Sequence, residues 1–205
     1  MAIKPILFNT EMVRAILDGQ KTCTRRVVKT RRKDACGFYV TKRPDGSFTG
    51  VYEYDEDERM FENQLIQYKP GDILYVRETW CGLPVNEAGH FRRHPIYYYK
   101  AGGDLRPEGW RGAWRPSIHM PKEAARIWLK VTDVRVERLQ DMTDDDAEAE
   151  GCFDYTSTAL GFPDVWDSTI KKSDLDRYGW KANPWVWVIE FERCEKPEEE
   201  EHERK

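Results

Sequence analysis

The chain has 205 residues, 40% hydrophobic and 34% charged, with a formal net charge of −4. That is too apolar for a disordered chain, and no apolar run approaches the ~20 residues of a membrane span, so no membrane partner is expected. The five cysteines form no Cys-x-x-Cys pair, and His90 and His94 sit in a Gly- and Pro-flanked stretch, so reduced structural thiols are expected rather than a metal site. The N-terminus lacks a signal-like apolar core, which predicts a cytoplasmic protein.

The acidic total hides an uneven distribution. Residues 1–50 carry 11 Lys/Arg against 4 Asp/Glu, and residues 92–126 carry 8 against 3. Residues 141–155 hold 7 acids and no base. Basic segments that converged in space could hold an anionic ligand despite the total, while the same charges scattered would be ordinary solvated surface.

In chain order, residues 3–8 read as a strand, with Pro5 marking an edge or a start. Asn9 or Thr10 caps a helix over 11–18, buried through Met12, Val13, Ile16 and Leu17 and stopped at Gly19. A polar stretch comes next, Lys21-Thr22-Cys23-Thr24-Arg25-Arg26, where a segment joining a core would turn apolar. Residues 29–66 read as an insertion containing a hairpin over 36–54 and an acidic loop. Pro70-Gly71-Asp72 is a turn into a strand over 73–80, whose alternation puts Leu74, Val76, Glu78 and Trp80 on one face. A carboxylate on that face must be paired or protonated.

Residues 81–117 form a Gly-, Pro- and Arg-rich excursion, with Arg106, Trp110, Arg111, Trp114 and Arg115 close together. Residues 127–139 read as a long strand whose apolar phase slips near Thr132-Asp133, which predicts a bulge or bend of the kind a small barrel needs. Thr143 caps a short acidic helix that Gly151 stops. Residues 153–182 are a further excursion, in which Pro163 opens a helix carrying Trp166 and Ile170. Residues 185–193 form the last strand, and 195–205 an acidic tail. One domain over 1–194 is expected, with insertions at 29–66, 81–117 and 153–182.

The pattern Gly19-x-Lys21-x-x-Thr24-x-Arg26 after a helix resembles the ASCH domain, a branch of the PUA-like barrels. In many members Glu stands where this chain has Thr24. The turn at 70–72, the strand bearing Glu78, the long strand, the short acidic helix and the closing strand extend the resemblance over about half of the chain. It implies an α+β fold, a PUA-like mixed β-barrel with peripheral helices, and a cleft for RNA or a modified nucleoside, with no cofactor. Long, elaborated members of this kind occur in prophage settings.

With Thr24 in place, the site is similar to that of small bacterial hydrolases of N4-acetylcytidine. Carried over, the resemblance makes Lys21, Thr24 and Glu78 catalytic. Lys21 is then either base or electrostatic stabiliser, Thr24 either nucleophile or orienting donor, and Glu78 either orients Lys21 or relays a proton. The competing reading is a non-catalytic binding module using Lys21, Arg25, Arg26, Arg106, Arg111 and Arg115. Strict strand alternation would separate Lys21 from Thr24, so their convergence requires a turn near Thr22-Cys23. The hydrolase reading expects Glu78 to be the carboxylate nearest Lys21. Both readings expect an arginine from 92–126 in the cavity of Lys21 and Arg26.

Overall fold

A computed structural model describes residues 1–29, 35–45, 48–62, 67–85, 91–109, 112–152 and 158–198. The fold is mixed α+β, with sheets dominating. Strands β1 (Ile3–Leu7), β2 (Cys23–Val27), β6 (Ile73–Arg77), β9 (Trp128–Arg138) and β10 (Trp185–Cys194) form the main sheet, in the order β1-β6-β9-β10-β2. Helix α1 (Thr10–Leu17) connects β1 to β2. Strands β3 (Gly37–Lys42), β4 (Phe48–Tyr54) and β5 (Met60–Glu62) make a second sheet from the first insertion, and β7 (Trp80–Val85) pairs with β8 (Phe91–Tyr99). Among the described residues no backbone ladder joins β1 to β2, so the expected closed barrel is not found.

The local signals act where their chemistry predicts. The Asn9 side chain caps α1 by accepting from the Met12 N–H at 2.8 Å, and Gly19 takes φ +76°, a conformation that favours glycine. Thr143 and Asp146 form a reciprocal capping box on α2 (Asp144–Ala149). The slip in β9 is a bulge. Glu190 pairs with Asp133 and Phe191 with Val131, leaving Thr132 as the extra residue. Helix α3 (Thr158–Thr169) departs from expectation, because Pro163 lies inside it rather than at its start. Proline's fixed φ suits a helix, but at the sixth position the ring removes the hydrogen bond that residue 163 would donate to the carbonyl of residue 159. A fourth helix, α4 (Leu175–Tyr178), precedes β10.

Strand β10 is central and buried on both faces, as its all-apolar start requires. Trp187, Ile189 and Phe191 join one core with α1, β6 and β9, while Val186 and Val188 join a second with Cys23, Phe162 and Trp166. The inner face of the second sheet closes on the first core, with Phe38 edge-on to Trp185 at 5.6 Å.

The turn before β6 is tied down by Asp72. Burial pushes its carboxyl pKa up, but the Lys4 ammonium at 2.7 Å and the N–H groups of Ala2 and Lys69 outweigh burial and hold it below the usual value. A carboxyl depressed in the folded state stabilises above its unfolded pKa, near ~3.9, and loses that contribution as pH falls through the folded value. Asp72→Asn should therefore lower Tm at neutral pH and converge with the parent chain at strongly acidic pH. Thermal melts across the acid range check this.

Candidate ligand cavity beside the edge strand

Lys21 belongs to the turn ahead of β2 rather than to the strand. Its N–H and that of Gln20 both donate to the Ala15 carbonyl at the end of α1, at 3.0 and 2.8 Å. Thr22 then donates to Ala149 of α2 at 2.8 Å, and the strand begins at Cys23. The chain turns at Gln20-Lys21 rather than near Thr22-Cys23, so Lys21 lies outside the strand's alternation, and Lys21 and Thr24 line one cavity. Within β2, Thr24 and Arg26 pair with Ile189 and Trp187, while Arg25 pairs with Val188. The Arg25 guanidinium is sent to the acidic side, and Thr24 and Arg26 face away from it.

The cavity has a volume of about 340 Å3. Lys21, Thr24, Arg25, Arg26 and Glu150, with Asn9 and Thr169, supply its polar groups, and Phe8 and Met12 lie beside them. Phe162, Val165, Trp166 and Ile170 of the α3 region form an apolar wall. The Phe162 and Trp166 rings are stacked with centroids 6.3 Å apart, and the Trp166 indole N–H donates to the Tyr178 carbonyl at 2.8 Å. The Lys21 ammonium and the Arg26 guanidinium lie 5.6 and 5.4 Å from the centre of the Phe8 ring.

The carboxylate on Lys21 is Glu150, the last residue before Gly151. Lys21 Nζ donates to Glu150 Oε2 and also to the Glu150 carbonyl at 2.9 Å. Glu150 Oε1 accepts the Arg25 N–H at 2.6 Å. The Arg25 guanidinium reaches Glu137 at 2.7 Å, Asp146 at 3.1 Å and Glu150 at 3.5 Å. Lys21, Arg25 and Glu150 are all buried. Burial opposes the charge on Arg25, but the carboxylates, Glu150 first, outweigh it and raise its pKa. Burial also drives the neighbouring Cys23 thiol up to about 12, with Glu150 adding to the shift, so this cysteine is not a nucleophile.

Arg26 is held differently. Its Nη1 donates to Thr24 Oγ1 at 2.6 Å and to the Arg25 carbonyl at 2.8 Å, and Nη2 donates to the Leu7 carbonyl at 3.1 Å. Those contacts bring the two edge strands of the sheet together through a side chain. Burial pushes its pKa below the usual arginine value.

Two expectations are corrected. Glu78 does not line this cavity and is not the partner of Lys21. It lies just past the end of β6, and β9 runs antiparallel to β6, which sets Arg126 opposite it. The Glu78 oxygens accept from Arg126 Nε and Nη2 at 2.9 and 3.0 Å. Among the described residues, no arginine of 92–126 lines the cavity either. Arg106 lies over Trp114 at 4.4 Å and is bound to Asp104, and Arg115 lies over Trp80 at 5.3 Å beside the β7–β8 hairpin. The hairpin and its return segment thus make a cluster of their own. Arg111 falls outside the described residues.

Sequence reasoning missed Glu150, Phe8 and the α3 wall. For Glu150 a signal existed, since the acidic segment 141–155 complements the basic start of the chain. Comparison with family models, curated proteins and solved structures found no match to this chain. Among the described residues, no group of three or more His, Cys, Asp or Glu is placed to hold a metal. No helix among them is long and apolar enough to cross a membrane.

Proposed function

We propose that the cavity beside β2 binds a modified nucleoside or a nucleotide of RNA. The observation that carries this reading is one cavity with hydrogen-bond donors on one wall, from Lys21, Thr24 and Arg26, and stacked aromatic rings on the other. A planar base offers a ring to the second wall and carbonyl oxygens to the first. The volume lies at the lower end of the ~300–1,000 Å3 typical of small-molecule sites. A long single strand would want a continuous basic, aromatic surface, and the separate placement of Arg106 and Arg115 favours a small ligand instead. The ASCH resemblance and the PUA-like barrel it implies belong to this proposal. The glycine-stopped helix, Lys21, Arg26, the turn at 70–72 and the bulged long strand stand in the order that resemblance requires.

The test is a calorimetric titration with N4-acetylcytidine and the common ribonucleosides. Thr24→Val removes the hydroxyl at nearly constant volume. It should weaken binding by roughly 1 kcal/mol, about fivefold, and lower stability by about 1–2 kcal/mol as well, because Arg26 Nη1 loses the acceptor it has in Thr24 Oγ1. No binding by any nucleoside or nucleotide overturns the reading.

A second reading, hydrolysis of an acylated nucleoside, is favoured by Lys21 and Thr24 sharing the cavity with a carboxylate. In it Glu150 takes the part expected of Glu78. Lys21 is bound to Glu150 in an ion pair, which suits a cation stabilising an oxyanion rather than a base. Both Glu150 oxygens already accept hydrogen bonds. The donors therefore outnumber the available bases, and binding is the better-supported activity. Chromatography after incubation with N4-acetylcytidine decides it, through release of cytidine and acetate or their absence.

A further inference from the structure

The cations of the cavity are unequally neutralised. Lys21 is matched by Glu150, and Arg25 by Glu137, Asp146 and Glu150. Arg26 makes no ion pair or hydrogen bond with a carboxylate among the described residues, and Glu150 acts on its charge only from farther off. Its hydrogen bonds go to a hydroxyl and two carbonyls, all neutral. Its remaining N–H groups, that on Nε included, have no acceptor among the described residues. A partly buried cation left with neutral partners is costly, and an anion that entered would recover that cost.

We infer that the ligand of this cavity carries a phosphate, received by Arg26, with its ring against the Phe162–Trp166 wall: a nucleotide rather than a free nucleoside. This rests on the nucleoside-binding reading above and narrows it. Guanidinium favours phosphate because its planar N–H groups can engage two oxygens at once. Thr24 Oγ1 accepts from Arg26, which leaves the hydroxyl proton free to donate to a further phosphate oxygen. Lys21 is the weaker receptor because its charge is already cancelled by Glu150. The anion site and the aromatic wall line one cavity, so a single small molecule can use both.

The experiment titrates the full chain with four ribonucleosides, their 5′-monophosphates, inorganic phosphate and a short oligoribonucleotide. At least one monophosphate should bind about tenfold or more tightly than its nucleoside, as a charge-assisted bidentate contact provides. Its affinity should fall with added salt while that of the nucleoside does not. Arg26→Met should weaken the monophosphate at least about tenfold more than the nucleoside, and Arg26→Lys should restore part of the margin. The salt arm uses the unaltered chain, so it stands even if the variants fold poorly. Tighter binding of the free monophosphate identifies a mononucleotide as the source of the phosphate, and equal or tighter binding of the oligoribonucleotide identifies RNA. Nucleoside and monophosphate binding equally, or a margin that survives Arg26→Met, overturns the inference and leaves nucleoside binding intact. Inorganic phosphate binding as tightly as the nucleotides removes the part played by the ring. Failure of every nucleoside and nucleotide to bind overturns both readings.

Discussion

Glu150→Gln should lower stability by about 3 kcal/mol, roughly 10 °C in Tm for a chain of this size, although it removes only one charge. The carboxylate holds Lys21 through one oxygen and the Arg25 backbone through the other, and all three residues are buried. Without it, the buried Lys21 side chain loses its counterion. Glu137→Gln should cost much less, because Glu137 is more exposed and Arg25 would retain Asp146 and Glu150. Lys21→Met added to Glu150→Gln should recover part of the loss, since removing both charges leaves neither unpaired. Equilibrium unfolding of the parent chain, Glu150→Gln, Lys21→Met and the double variant measures the coupling. If the two substitutions proved additive, the ion pair would not be what holds this corner together.

Gly151→Ala should be nearly as damaging, through geometry rather than charge. Gly151 has φ +86°, and a Cβ there would lie 2.8 Å from the Ala15 Cβ and 3.3 Å from the Lys21 Cβ. Both neighbours are anchored directly to backbone, so α1 and α2 must move apart. Left-handed strain and forced repacking together cost about 2–4 kcal/mol. Gly19→Ala is the control. Gly19 has φ +76° with nothing within 4 Å of an added Cβ, so only strain applies and about 1 kcal/mol is expected. The movement forced at Gly151 also displaces Lys21, so ligand affinity should fall in Gly151→Ala and hold in Gly19→Ala. Urea unfolding and the nucleoside titration read the two effects separately.

Much of the frame was legible because its determinants are local. Asn9 and Thr143 can cap only a helix that begins at the next residue, Gly19 and Gly151 stop the helices that run into them, and the phase slip at Thr132 is visible in β9 itself. The site was legible only on its own segment. Lys21, Thr24 and Arg26 were found as polar groups where an apolar strand would be expected. Their partners come from other elements, and spacing along the chain carries no signal for contacts made by pairing in space. Glu78 shows the consequence. Its burial was predicted from alternation with Leu74 and Val76, but the identity of its partner depended on β9 lying alongside β6, which put Arg126 rather than Lys21 within reach. Glu150 reached Lys21 because Thr22 is hydrogen-bonded to the end of α2, a contact between residues far apart in sequence.

The neighbour of β2 in the sheet is β10, with Thr24 facing Ile189 and Arg26 facing Trp187. A ribosome makes β2 before β10 and before everything that lies between them, adding roughly 5–20 residues per second. Throughout synthesis of the intervening chain, the strand carrying three cationic and hydroxyl-bearing site residues has no partner. The polar character that marks this stretch out for ligand binding also keeps it soluble while it waits. An apolar strand in the same place would be an exposed sticky edge for that whole interval. The composition of residues 21–26 thus serves the nascent chain before any cavity exists, and the site assembles only when the final strand docks.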